Sequence, residues 1–165
     1  KAKEYFEASI RLKNNFQSLR GLAIIELMEG SEEKAIEAYM RAWQHSNGNE
    51  DLFNELSVIL RDKNKISQLK NLVNDCPPTL RTNEYYTLAK TTIALNEAKY
   101  EEARQLLIRE YIYIKEGELV TTNIWFNTFY FPAEKKLGRP LTEDEKATIK
   151  AQNPPPAIID FQMKG

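Results

Sequence analysis

The chain has 165 residues, a length typical of one domain whose core is large enough to fold without disulfides. Its 23 basic and 24 acidic residues leave a formal net charge of −1, which argues against a disordered chain and against a general polyanion binder. Five of the seven prolines lie at 77–78 and 154–156, so long stretches are free of helix breakers. This composition predicts an all-α fold.

The first complete helix pair is predicted within residues 16–49. Apolar residues recur there three and four positions apart, which is the spacing of one helix face. Gly30 suits the end of the first helix, and Ser31 can cap the second. The apolar positions are Leu19, Leu22, Ala23 and Leu27, then Ala35, Ile36, Tyr39, Ala42 and Trp43.

An offset of about 34 residues, a period typical of a helical repeat, relates this pair to the rest of the chain. We predict one domain with a half repeat at 1–15, repeats at 16–49, 50–83 and 84–117, and a non-repeat cap and tail at 118–165. The prolines at 77–78 predict that the second helix of the second repeat is shortened. The recurring pairs are Tyr5 and Ala8, Tyr39 and Ala42, Val73 and Cys76, and Leu107 and Glu110.

The C-terminal segment combines an aromatic run with a proline-rich tail. Trp125 and Phe129 share a helical face, which predicts a capping helix that buries its aromatics; an aromatic ligand platform is the alternative. Thr142, with Glu145 three residues later, forms a capping box that opens a short helix. Residues 157–163 are too apolar to float freely, so we expect an extended tail against the body.

These regularly spaced helix pairs resemble the tetratricopeptide repeat. The resemblance rests on Leu19, Leu22, Ala23, Gly30, Ala35, Tyr39 and Ala42, and on Tyr100, Ala103 and Leu107 in the last copy. It implies a TPR-like helical-repeat superhelix that binds a partner on its concave face. The partner-binding residues that it implies are Gln17, Arg20, Leu27, Asn54, Val58 and Arg61, with Ile24, Met28, Asp51 and Asp62 on the same face.

The C-terminal end has a second resemblance, to a group of large bacterial proteins. It is carried by an Ile-Trp helix, the sequence from Leu141 to Glu145, and the proline run followed by Asp160, Phe161 and Met163. In that group a mutarotase-like domain of unassigned function precedes the repeats. The resemblance implies that this chain is the C-terminal repeat module of a longer protein connected with carbohydrate.

The sequence offers few groups for catalysis. His45 is the single histidine and Cys76 the single cysteine, and neither has the neighbours of a metal site or a nucleophile. Acidic pairs such as Glu32 and Glu33 fall in the predicted first turns of helices, where the helix dipole favours them. We therefore predict no catalytic residue, no metal site and no cofactor, and hence no enzyme within this chain.

No predicted segment has more basic than acidic residues, so we expect no nucleic-acid partner. No apolar run approaches the roughly 18 residues that span a bilayer, so we expect no membrane partner and a soluble chain, leaning cytoplasmic. The first functional hypothesis is a non-catalytic interaction or scaffold module for a protein or peptide, or for an upstream domain of the same chain. The alternative is a supporting or oligomerising module of a carbohydrate-active bacterial enzyme. We also expect self-association through the apolar N-terminal end.

Overall fold

The computed structural model describes residues 2–12, 15–109 and 118–159, and these ranges contain helices and no strand, so the all-α prediction is confirmed. The α-helices are α1 Ala2–Leu12, α2 Phe16–Met28, α3 Glu32–Gln44, α4 Glu50–Asp62, α5 Ile66–Asn74, α6 Glu84–Asn96, α7 Tyr100–Arg109, α8 Glu118–Leu137 and α9 Glu143–Gln152. A 3₁₀ turn, Pro78–Leu80, separates α5 from α6.

Three helices begin at an asparagine that caps the first turn. The side-chain oxygens of Asn15, Asn49 and Asn83 accept from backbone N–H groups inside α2, α4 and α6, at 2.8, 2.9 and 2.8 Å. Each of these side chains satisfies a donor that the first turn leaves unpaired. The caps are evenly spaced along the chain, one repeat offset apart, so the period found in the sequence marks the start of α2, α4 and α6.

The same three helices are followed by a residue in the left-handed region. Gly30 has φ +75°, Asn64 has φ +53° and Ala98 has φ +59°. Glycine and asparagine adopt this conformation at low cost, whereas alanine pays a steric penalty. Each residue reverses the chain, so α2 with α3, α4 with α5, and α6 with α7 pack as neighbours.

Two clusters of buried side chains form the core. The larger is built by α2 to α6 around Leu19, Phe53 and Leu72; the Phe53 ring packs 5.6 Å from the centre of Trp43 and 6.4 Å from that of Tyr86. The smaller joins α6, α7 and α8 to the tail. Its buried members are Leu88, Leu95, Leu107, Ile124 and Ile159.

The shortened helix before the prolines is confirmed, because α5 has nine residues whereas α3 has 13. Cys76, which follows it, is buried. The capping box is also present: Thr142 N–H donates to Glu145 Oε2 at 2.8 Å, and Glu145 N–H donates to Thr142 Oγ1 at 3.3 Å. These local features therefore follow from the sequence alone. Ser31, which was expected to cap α3, precedes that helix but makes no side-chain cap hydrogen bond.

The aromatic helix α8 packs on its neighbours through its side chains. Trp125 Nε1 donates to the Asn153 carbonyl at 3.0 Å, and the Arg104 guanidinium lies 4.7 Å from the centre of the Phe129 ring. The tail contacts the body at residues 157–159, where Thr122 Oγ1 donates to the Ile159 carbonyl at 3.1 Å, but these residues form a turn and not the extended segment that was expected. The rest of that segment, residues 160–163, lies outside the described ranges.

Pro132 lies inside α8 and has no N–H to donate to the carbonyl four residues earlier, that of Thr128. Arg104 on α7 supplies a replacement donor. Its Nη1 lies 3.4 Å from the Thr128 carbonyl oxygen and 3.2 Å from Thr128 Oγ1. The interruption in α8 thus becomes a polar contact between α7 and α8.

Candidate protein-binding groove

An apolar groove of about 570 Å³ lies between α2 and α4 and extends to α3 and α6. We call it the α2–α4 groove. Met28 at the end of α2 is 82% exposed beside it, and methionine adapts its shape readily to a partner. The lining residues are Ile24, Leu27, Met28, Tyr39, Asn54, Glu55, Val58, Ile59 and Tyr85.

Three of the six predicted partner-binding residues, Leu27, Asn54 and Val58, line this groove. Arg20 reaches its rim through Glu55. Gln17 lies in the first turn of α2, and Arg61 stands one turn beyond Val58 on α4. The partner-binding role of all six residues stays a prediction.

Sequence reasoning missed Tyr39, Glu55, Ile59 and Tyr85. Tyr39 has the spacing of a core residue and is buried, yet its hydroxyl reaches Glu55 across the helix interface. Tyr85 comes from α6, about two repeat lengths from α2. Only the packing of α6 against α4 brings it to the groove, so no spacing within one helix pair could have indicated it.

At the edge of the groove near α2, the polar side chains form hydrogen bonds with one another. Glu55 Oε2 accepts from Arg20 Nε at 2.6 Å, and Glu55 Oε1 accepts from the Tyr39 hydroxyl at 2.7 Å. The hydrogen bond to Glu55 raises the pKa of Arg20. Burial raises the pKa of Tyr39, and the bond to Glu55 adds to that rise, so Tyr39 stays a neutral donor.

The other polar edge, on α4, is not compensated. Asn54 Oδ1 and Arg61 Nη1 are buried without a hydrogen-bond partner in the described structure. Burial lowers the pKa of Arg61, against the opposing effects of Asp62 and Tyr85. Two cations therefore lie beside the groove: Arg20 is neutralised by Glu55, whereas Arg61 forms no ion pair among the described residues.

A second cavity, of about 270 Å³, lies between α5, α6 and the start of α7. Its charged residues largely pair with each other: Glu97 accepts from Lys70 at 2.6 Å and from Lys99 at 2.7 Å. These two ammonium groups hold the pKa of Glu97 at about 2. The α2–α4 groove is the more apolar of the two and is the better candidate for a protein partner.

No three His, Cys, Asp or Glu side chains come together as a metal site in the part of the chain that the structure describes. Burial raises the pKa of the Cys76 thiol, which makes this cysteine a poor nucleophile. Across residues 2–12, 15–109 and 118–159, no helix combines the length and apolar character that crossing a membrane requires.

The half repeat predicted at 1–15 contains α1, which packs on α2. Phe6 on α1 lies against Gly21, Ser9 Oγ lies 2.8 Å from Ser18 Oγ, and Tyr5 is 75% exposed. The first turns of α3, α7 and α9 hold the acidic residues predicted there.

One family model matches the chain, that of the transcriptional regulator SIX1, N-terminal SD domain, over residues 48–157. No curated protein and no solved structure matches the chain significantly. The match covers two thirds of the sequence and includes α4 to α9, whereas α1 to α3 precede it.

This match corrects the family resemblances drawn from sequence. The tetratricopeptide assignment is wrong, and so is the resemblance to bacterial proteins with a mutarotase-like domain. Small and apolar residues at helical spacing are required wherever two helices pack closely, and Asn caps can recur at a fixed spacing without identifying a family. A helical-repeat superhelix is not established by the helix pairs alone.

The functional hypotheses built on those resemblances are wrong as well. The chain is neither a tetratricopeptide scaffold module nor a module of a carbohydrate-active bacterial enzyme, because the matched family is one of transcriptional regulators. A regulatory domain of this kind is consistent with the prediction that the chain is not an enzyme. The chain belongs to the family of the N-terminal SD domain of the SIX1 transcriptional regulators.

Proposed function

We propose that this chain is the partner-binding domain of a regulator of transcription, and that the α2–α4 groove holds the apolar face of a helix from another regulatory protein. The observation that carries the proposal is the groove itself, an open apolar surface of about 570 Å³ on a domain of this family. Concave, mainly apolar surfaces with a few polar groups are typical of binding sites.

The geometry favours a helix as the occupant. Two helices, α2 and α4, supply seven of the nine lining residues, among them Leu27 on α2 and Val58 on α4. A partner helix fits such a surface by placing apolar anchors at positions i, i+3, i+4 and i+7. The exposed Met28 at one end can repack around an anchor of variable shape.

The groove is a poor surface for nucleic acid, since Arg20 is already neutralised by Glu55 and the lining is mainly apolar. The expectation of no nucleic-acid partner was drawn for this chain. Because a regulator of transcription acts at DNA, we do not keep that expectation in general and propose only that DNA does not occupy this groove. The lean towards a cytoplasmic location is not kept either. Contact with an upstream domain of the same chain, and self-association through α1, stay predictions.

A display library of randomised helical peptides of about 16 residues, four to five turns, tests the groove directly. We expect wild-type protein to select peptides with apolar residues at helical spacing. The variant Val58→Glu should weaken their binding at least about tenfold, because it places a charge on the apolar wall. Phe131→Glu, at an apolar residue that is 40% exposed on α8, is the matched control and should leave binding unchanged.

The regulatory role needs a separate readout. The chain fused to a DNA-binding module should change transcription of a reporter gene, and Val58→Glu should remove that change whereas Phe131→Glu should not. Selected peptides without helical spacing, or binding that survives Val58→Glu, would overturn the groove assignment. Concentration-dependent sedimentation that Val58→Glu abolishes would show that a second copy of the chain is the occupant instead.

A further inference from the structure

Two buried polar atoms on α4 have no hydrogen-bond partner in the described part of the chain. They are Asn54 Oδ1 and Arg61 Nη1. With Val58 between them, these residues are spaced four and three apart and so lie along one face of α4. Asn54 and Val58 line the α2–α4 groove, and Arg61 lies one turn further along the same helix.

Such atoms need an explanation, because folded proteins satisfy almost all of their buried polar groups. Arg61 is half-buried, so its guanidinium has lost part of its hydration, and no ion pair in the described structure replaces what was lost. A partner that brings a carboxylate to the accessible part of this side chain would recover the cost.

The charges around Arg61 define what that group must be. The nearest charged residue in sequence, Asp62, is exposed and forms no ion pair with Arg61 in the described structure. Arg20, the other cation of the groove, is already bonded to Glu55 at 2.6 Å. Arg61 is therefore the cation without an ion pair at this edge of the groove in the described structure.

We propose that Arg61 selects acidic partners: a helix bound in the α2–α4 groove carries a carboxylate that pairs with the Arg61 guanidinium. Arg61 is three positions after Val58, about 4.5 Å along the helix axis, so the carboxylate lies about one turn from the anchor that contacts Val58. Asn54, one turn on the other side of Val58, lines the groove on the same face of α4. This inference rests on the proposed function of the groove.

The same peptide library tests it, with selections on the wild-type domain, on Arg61→Met and on Arg41→Met. Methionine keeps the length of the side chain without its charge, and Arg41 is an exposed arginine on α3 that serves as the matched control. We expect Asp or Glu to be enriched one turn from an apolar anchor with wild type and Arg41→Met, and not with Arg61→Met. Changing that acid to its amide in a selected peptide should weaken binding to wild type about tenfold and binding to Arg61→Met less than about twofold.

Arg61→Lys separates charge from hydrogen-bond geometry. It keeps the positive charge and loses the guanidinium fork, so the acidic preference should persist in weakened form. Circular dichroism should show Arg61→Met to be folded, because methionine replaces a half-buried, unpaired cation with an apolar side chain of similar length.

Helical peptides that bind wild type and are lost on Val58→Glu, yet show no acidic preference, would overturn this inference and leave the groove assignment intact. An acidic preference that persists with Arg61→Met would overturn it as well. The absence of any binding sensitive to Val58→Glu would overturn both proposals together.

Discussion

The contact between α1 and α2 depends on a glycine, and replacing that glycine tests how α1 is held. A Cβ at Gly21 would lie 2.5 Å from two carbons of the Phe6 ring, whereas carbon atoms in favourable contact are about 3.5–4.0 Å apart. Gly21→Ala therefore forces the Phe6 ring to move by roughly 1 Å or more. The substitution also has a favourable effect, because alanine favours a helix over glycine by about 0.8–1.0 kcal/mol.

The two effects oppose each other in the wild-type background. Overpacking costs about 1–3 kcal/mol, so Gly21→Ala should lower the free energy of unfolding by about 0–2 kcal/mol once the helix preference is subtracted. In a Phe6→Ala background the ring is absent and only the helix preference remains. There, Gly21→Ala should raise the free energy of unfolding by about 1 kcal/mol.

Urea unfolding of the wild type, the two single variants and the double variant measures whether the effect of Gly21→Ala on the free energy of unfolding changes sign. Hydrogen exchange of the α1 amides shows where in the chain the effect occurs. We expect Gly21→Ala to speed exchange throughout α1 while Phe6 is present. If Gly21→Ala stabilises the protein equally in both backgrounds, the Phe6 ring does not press on α2 at Gly21. The coupling between the two sites should be about 1–3 kcal/mol.

Three further substitutions test contacts at the other end of the chain. Arg104→Met leaves the Thr128 carbonyl without its replacement donor and should lower the free energy of unfolding by about 1–3 kcal/mol, measured by urea denaturation. The pKa of Glu97, held at about 2, lies below its ordinary value, so its stabilising effect is complete above about pH 4.5 and is lost as the pH falls towards 2; Glu97→Gln should flatten the melting temperature over that range. Thr142→Ala removes the capping-box hydroxyl and should cost about 1 kcal/mol, with exchange accelerated at the start of α9.

Each of these has a matched comparison. Arg41→Met, on the exposed face of α3, should leave stability unchanged where Arg104→Met lowers it, and equal effects would contradict the role given to Arg104. A melting temperature that falls with acid as steeply in Glu97→Gln as in wild type would assign the acid sensitivity to other carboxylates. Thr142→Ser keeps the hydroxyl, so a loss of stability equal to that of Thr142→Ala would argue against the cap.

Family membership shows where reasoning from the sequence failed. The repeat offset is real in the structure, since it spaces Asn15, Asn49 and Asn83 at helix starts. It led to the wrong family because spacing records the lengths of helices and turns, and many helical proteins can share those lengths. The family match begins at residue 48, near the start of α4. The first predicted repeat, 16–49, carried the tetratricopeptide resemblance most clearly, and almost all of it lies outside the matched residues.

Only some of the residues that line the groove could be predicted from the sequence. Leu27 and Val58 were expected on a binding face, and both line the α2–α4 groove. Leu19 has the same apolar character and helical spacing as Leu27, yet it is fully buried. Periodicity identifies the apolar side of a helix, but it does not say how far a neighbouring helix covers that side.

Local sequence was sufficient to predict the all-α class, the capping box of α9 and the shortening of α5, because these features depend on residues within a turn or two of one another. The contacts between helices could not be predicted in this way. Glu55 neutralises Arg20 and Arg104 compensates for Pro132 only because α2 meets α4 and α7 meets α8. Such contacts join residues far apart in the chain, and the position of each depends on the packing of whole helices and not on local pattern.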